Sequence, residues 1–314
     1  LVFTYYPLNF VATNSQKIIY MRKTHLIISS LLVVVLAVVS FSCKNASKKE
    51  QQEEIVIYSG NWAETIAMTK VTELALEDVG IPTKMILIEP GPIYASLAKG
   101  DGDIFLESWL PQTHAEYWEK YGDQLDKAGI SFDYASTGLV VPEYVTINSI
   151  TQLNANKEKF DGRIIGIGSG AGIHKDTEKA IKEYNLDYNQ ITSSGPAMMA
   201  SLKKAVTQDE WVVVTGWKPH HKWAMYDLKY LEDPKNVYPT EKAYIITRQG
   251  FTDERPGFKE FLGNFYLEEA LLADLMMTFE NMDSEDEAAK KWYSEHKELI
   301  QSWMPQEWLE KDGK

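Results

Sequence analysis

Ile55-Val56-Ile57-Tyr58-Ser59-Gly60-Asn61-Trp62, followed by the stretches 64–79 and 84–88, decides the fold of this chain. The first run is apolar and β-branched enough to form a strand. From Glu64 onward, Ile66, Ala67, Val71, Leu74, Ala75 and Val79 recur at the spacing of one helical face. Gly80 supplies a C-terminal cap, and 84–88 returns to strand character. Gly91-Pro92 and a helix over 93–99, ended by Gly100, lead to a third strand at 103–106. Pro111 then opens a helix, where its missing N–H costs nothing. This βαβαβα order predicts an α/β fold, a mostly parallel sheet with helices on its faces.

Further along, a second unit of the same kind begins near Gly138. Strands are expected at 139–142, 163–168 and 211–215, and helices at about 174–184 and 196–205. A strand at 243–247 feeds a helical remainder, about 256–303. Such an order predicts two lobes joined by crossings near 137–140 and 236–243. Lobe one takes 55–138 and returns over 241–314, and lobe two takes 139–240. A small ligand would bind in the interlobe cleft.

Three tryptophans share one setting in this reading, an apolar strand followed by a short turn and an indole. They are Trp62, Trp109 in Glu107-Ser108-Trp109-Leu110-Pro111-Gln112-Thr113-His114, and Trp217 in Val213-Val214-Thr215-Gly216-Trp217-Lys218-Pro219-His220. Ligands of open α/β sheets bind outside the carboxyl ends of the strands. One such Trp is explained by packing, but three at that edge can build an aromatic box. Electron-rich ring faces attract a cation that cannot donate hydrogen bonds, which points to a quaternary ammonium.

The opposite charge has a candidate site in Arg163-Ile164-Ile165-Gly166-Ile167-Gly168-Ser169-Gly170-Ala171-Gly172-Ile173. Four glycines between a strand and a helix let backbone N–H groups converge, and the helix start adds partial positive charge. A carboxylate or phosphate suits it. Gly166-x-Gly168-x-x-Ala171 matches a dinucleotide fingerprint only loosely, and Lys175 is misplaced for a phosphate-binding P-loop. His114, five residues after Trp109 and expected in the first helical turn, can donate to the same carboxylate. His174, His220 and His221 lack metal-ligand spacing and read as structural or exposed, so no metal and no cofactor are expected.

At the N-terminal end, Met21-Arg22-Lys23-Thr24-His25, the apolar run 26–41 and Ser42-Cys43 make a secretory signal over 21–42, with 1–20 read as an over-extended start. Cys43, the only cysteine, is expected to carry a lipid, and the polar stretch 43–54 to be a flexible tether. From Cys43 onward 29 basic residues face 45 acidic ones, a net charge of −16. That balance argues against a nucleic-acid partner and against a purely electrostatic hold on anionic lipid. With 44% apolar residues the chain can still build real cores. The expectation is an extracytoplasmic monomer, soluble apart from its lipid anchor.

Taken together, Gly60-Asn61-Trp62-Ala63-Glu64, Leu106-Glu107-Ser108-Trp109-Leu110-Pro111-x-Thr113-His114, Gly170-Ala171-Gly172-Ile173 and Val214-Thr215-Gly216-Trp217-Lys218-Pro219-His220 resemble the glycine betaine-binding proteins of ABC osmolyte uptake systems. Ala98-Lys99-Gly100-Asp101 and the stretch from Tyr226 to Pro234 add to the resemblance, which spans about 55–305. It implies a two-lobed type II periplasmic-binding-protein fold and delivery of ligand to an ABC permease. It also implies that Trp62, Trp109 and Trp217 surround a trimethylammonium group, while His114 and the amides of Gly172 and Ile173 hold a carboxylate. Carnitine, proline betaine and choline are the alternative ligands. An exported carbohydrate-active hydrolase using Glu64, Glu107 or Asp103 is the rival of another class. Asp103 precedes its strand, Glu107 has no obvious partner, and no G-x-S-x-G elbow occurs, so the chain reads as a binder and not an enzyme.

Overall fold

The computed structural model describes residues 54–310. The expected start extension, signal peptide, Cys43 and the tether up to 53 lie outside the described residues. Strand β1 (Ile55–Ser59) pairs in parallel with β2 (Thr83–Leu87) on one side and β3 (Ile104–Leu110) on the other. Helix α1 (Ala63–Asp78) connects β1 to β2, and α2 (Pro90–Lys99) connects β2 to β3. Gly100 closes α2 at φ 77°, a left-handed conformation that favours glycine. A short helix, α3 (Ala115–Tyr121), follows β3.

Next comes the longest strand, β4 (Leu125–Pro142), and then β5 (Arg163–Ile165), α4 (Gly172–Glu183), β6 (Asn189–Ile191) and α5 (Gly195–Thr207). Strand β7 (Val214–Lys218), α6 (Lys222–Met225), β8 (Leu228–Tyr230) and β9 (Glu241–Arg248) complete the sheets. Strand order is β2-β1-β3-β9-β4-β7-β5-β6, with β8 also on β4. The outer pairs are parallel, while β9 runs antiparallel to both β3 and β4. The remainder is helical: α7 (Phe251–Glu254), α8 (Pro256–Asn264), α9 (Glu269–Glu280), α10 (Glu285–Glu295), α11 (Lys297–Trp303) and α12 (Gln306–Leu309). Both α9 and α10 pack on α1, whose Ala67, Met68, Val71, Ala75 and Leu76 are buried. Each large apolar side chain buried in this way contributes ~1.5–3 kcal/mol. This is the expected α/β architecture, sheets flanked by helices. Among the described residues no helix is long and apolar enough to cross a membrane.

Three expectations need correction. β4 extends over 18 residues, not the four of 139–142. Its register against β9 shifts near Gly129, Phe132 and Ala135, and these irregularities destroy the two-residue alternation that marks a strand in sequence. Second, Trp109 and Trp217 lie inside strands and not beyond a turn, because Trp109 pairs with Ala243 and Trp217 with Thr137. Only Trp62 follows a turn, as the N-cap of α1. Third, Pro111 does not open a helix. Residues 111–114 form turns, and His114 is the N-cap of α3. His114 N–H closes the turn on the Trp109 carbonyl at 2.9 Å, the Gln112 and Thr113 N–H groups donate to Glu241 Oε1 at 2.6 and 2.7 Å, and helix winding begins at Ala115.

Candidate functional site

One cavity brings together all six residues singled out from the sequence: Trp62, Trp109, His114, Gly172, Ile173 and Trp217. It holds about 350 Å³ of empty space, its mouth included. Glu64, Thr113 and Thr137 also border it. Trp109 and Trp217 are buried, while Trp62 is half-buried.

Trp109 and His114 are tied twice. His114 N–H donates to the Trp109 carbonyl at 2.9 Å, and Trp109 N–H donates to His114 Nδ1 at 2.9 Å. The tight turn after β3 thus explains the five-residue offset. Because Nδ1 accepts, the neutral ring carries its proton on Nε2, the nitrogen left free to donate. Burial pushes His114 down to about 3, so the ring is neutral at physiological pH. Tyr94 packs edge-on against it, with centroids 5.9 Å apart, and Trp62 lies 6.4 Å away.

Across the cavity, Ala171 is the N-cap of α4, so Gly172 and Ile173 open that helix. The first N–H groups of a helix have no intrahelical partner, and they carry the positive end of its dipole. Gly172 has a steric reason as well. A Cβ there would collide with the Thr113 carbonyl, so only glycine allows this approach of α4 to the turn after β3. The same approach is held by Gln112 Nε2 donating to Asp176 Oδ1 at 2.8 Å and Tyr117 OH donating to the Gly170 carbonyl at 2.9 Å.

Beneath the indoles lie carboxylates that the sequence reading left without partners. Trp109 Nε1 donates to Glu107 Oε1 at 2.9 Å, and the Thr65 hydroxyl donates to Glu107 Oε2. Trp217 Nε1 donates to Glu64 Oε1 at 2.7 Å. Burial pushes Glu64 up to about 7, and it raises Glu107 well above the usual range, with the Glu64 charge adding to the effect. His220 and His221 are both buried. The His220 ring stands edge-on to Trp217 at 4.7 Å. A signal for Glu107 was present, because alternate residues of a strand share a face and Glu107 and Trp109 are two apart. Nothing local could link Glu64 to Trp217, 153 positions away.

Residues 53–295 match the model of the substrate-binding domain of the ABC-type glycine betaine transport system. The glycine betaine/carnitine transport binding protein of Listeria monocytogenes is 37% identical over 150 residues, 46% of this chain and about half the length of that relative. Lactococcal OpuAC, crystallised closed with glycine betaine, superposes with a TM-score of 0.75 at 31% identity, over 81% of this chain and 100% of that one. The glycine betaine/L-proline-binding protein of Borrelia burgdorferi gives 0.78 at 30% identity, over 82% and 98%. With the family model covering most of its length, this chain belongs to the substrate-binding domains of ABC-type glycine betaine transport systems.

Proposed function

We propose that this protein captures glycine betaine in the cavity described above and hands it to an ABC permease, without chemical conversion. The observation that carries this reading is the pairing of three indoles with a neutral histidine donor and a helix N-terminus around one cavity. Trp62, Trp109 and Trp217 would face the trimethylammonium group, whose methyls cannot donate conventional hydrogen bonds. His114 Nε2–H and the amides of Gly172 and Ile173 would hold the carboxylate. Glu64 and Glu107 would serve the indoles and not a hydrolytic reaction, since each accepts an indole N–H.

In this reading residues 55–138 and 241–314 form one lobe and 139–240 the other. Each lobe would supply part of both ends of the site, so ligand favours closure over the open state. Cys43 would carry the lipid that holds the monomer at the outer face of a membrane, with 43–54 as its tether. Carnitine, named with glycine betaine in the Listeria relative, is the second reading because it too joins a trimethylammonium group to a carboxylate. Calorimetric titration of the domain from residue 54 with glycine betaine, carnitine, proline betaine and choline tests the proposal. Saturable binding with glycine betaine tightest is expected. Binding of none of the four by a cooperatively folded domain would refute it.

A further inference from the structure

Behind the cage lies a charge arrangement that the proposed ligand contacts do not use. Lys222 is completely buried. Its Nζ sits 3.8 Å from the centroid of the Trp217 ring and, among the described residues, makes only a long bond, 3.5 Å, to the Trp217 carbonyl. Trp217 borders the cavity and Lys222 does not, and the ammonium sits over the ring of that indole. Glu64 does border the cavity. One of its oxygens receives the Trp217 N–H, and Oε2 is buried without a hydrogen-bond partner. Two opposite charges therefore flank one indole, and they act on a cation in the cage with opposite signs.

We propose that Glu64 and Lys222 set the affinity of the cage as an opposed pair. Glu64 draws a cationic head group, and Lys222, by neutralising it beside Trp217, keeps that attraction below what the carboxylate alone would give. This inference rests on the quaternary-ammonium reading above. A protein that must release its cargo gains from such a brake.

The pair has no net charge whether its proton rests on Nζ or on the carboxylate. Burial drives Lys222 well below the lysine range and Glu64 upward, and the attraction between them opposes both shifts. The other titratable groups around the pair are Glu107 on β3, His220 and His221 before α6, Glu280 beside His221 at 3.5 Å, and His114 on the cavity wall. Burial holds all three imidazoles neutral near pH 8, so Glu64 and Lys222 are the charges that variants will expose.

The test is titration at pH 8 of wild type, Lys222→Met and Glu64→Gln with two probes. One is glycine betaine, and the other is 3,3-dimethylbutyrate, its shape-mimic with carbon in place of nitrogen. Methionine keeps the length of the stem without the charge, and glutamine keeps an acceptor for the Trp217 N–H. Lys222→Met should bind glycine betaine roughly fivefold tighter and Glu64→Gln roughly fivefold weaker, a swing of ~1 kcal/mol each way. Neither variant should shift the neutral-headed probe by more than about twofold. If the neutral probe is too weak to measure, the pH profile decides. Lys222→Met should gain betaine affinity with rising pH more steeply than wild type, as its Glu64 ionises without the ammonium beside it. Lys222→Gln replaces Lys222→Met if the latter melts early. Weaker or unchanged betaine binding on loss of the ammonium, equal shifts for both probes, or parallel pH profiles overturn the inference. Failure of folded wild type to bind any quaternary amine would instead remove the functional reading beneath it, and this inference with it.

Discussion

Trp109 and Trp217 are both buried strand residues, and each directs its indole N–H at a buried carboxylate. The carboxylate of Trp109 comes from Glu107, two residues away on the same strand, while that of Trp217 comes from Glu64, 153 positions distant. The acceptor of the first indole is therefore supplied by the two-residue period of β3, with Thr65 of α1 holding the other oxygen of that carboxylate. The second is set only where the β7 strand and the start of α1 meet. One indole takes its acceptor from its own strand, and the other takes it from a distant segment.

Substituting the indoles themselves should break the cage alike at either one. Trp109→Ala and Trp217→Ala should each weaken glycine betaine binding by about 30-fold, since a desolvated cation–π contact contributes ~2 kcal/mol. Phenylalanine at either position should be milder, because it keeps a ring face. Affinities within twofold of wild type in folded alanine variants would place the cage elsewhere. Glu107→Ala sharpens the comparison. It removes the acceptor of the Trp109 N–H, and that of the Thr65 hydroxyl with it, and the loss of the indole hydrogen bond at ~1 kcal/mol should weaken binding roughly fivefold. Calorimetry on this variant, with near-ultraviolet circular dichroism of the indoles, checks that Trp109 is loosened without unfolding.

The same contrast explains what was legible in the sequence. The βαβαβα order, the six candidate site residues and the family resemblance came from local patterns: apolar periodicity, glycines at helix ends and short motifs. Trp109 and His114 were linked correctly by their spacing, although the stretch from Pro111 is a turn and not the expected helix, closed by His114 N–H on the Trp109 carbonyl and held to β9 by Glu241. The length of β4 was hidden by its register shifts. The link between Glu64 and the Trp217 indole was hidden by distance in the chain, and of the two readings left open for His220 and His221, structural or exposed, burial fits the structural one. Long-range partners leave no local trace.

A smaller effect concerns pH. The unperturbed histidine value is 6.5 and burial lowers His114 to about 3. A depressed folded value means that the unfolded chain takes up the proton first, so the contribution of His114 to stability falls as pH drops from 6.5 toward 3. Relative to His114→Gln, wild type should lose up to ~1.4 kcal/mol of stability per pH unit between pH 6 and 4. Denaturant melts of both proteins at three pH values in that range check it. A constant difference would mean that the ring titrates normally in the fold.

The central claim is that indoles and His114 serve opposite ends of one zwitterion. Titrating wild type, Trp109→Ala and His114→Ala with glycine betaine and with choline, which lacks a carboxylate, tests it most directly. Trp109→Ala should weaken both ligands. His114→Ala should cost glycine betaine more than tenfold, because a charge-assisted hydrogen bond contributes ~1.5–3 kcal/mol, and it should leave choline nearly unchanged. An equal loss for both ligands at His114, or a loss confined to choline, would contradict the assignment.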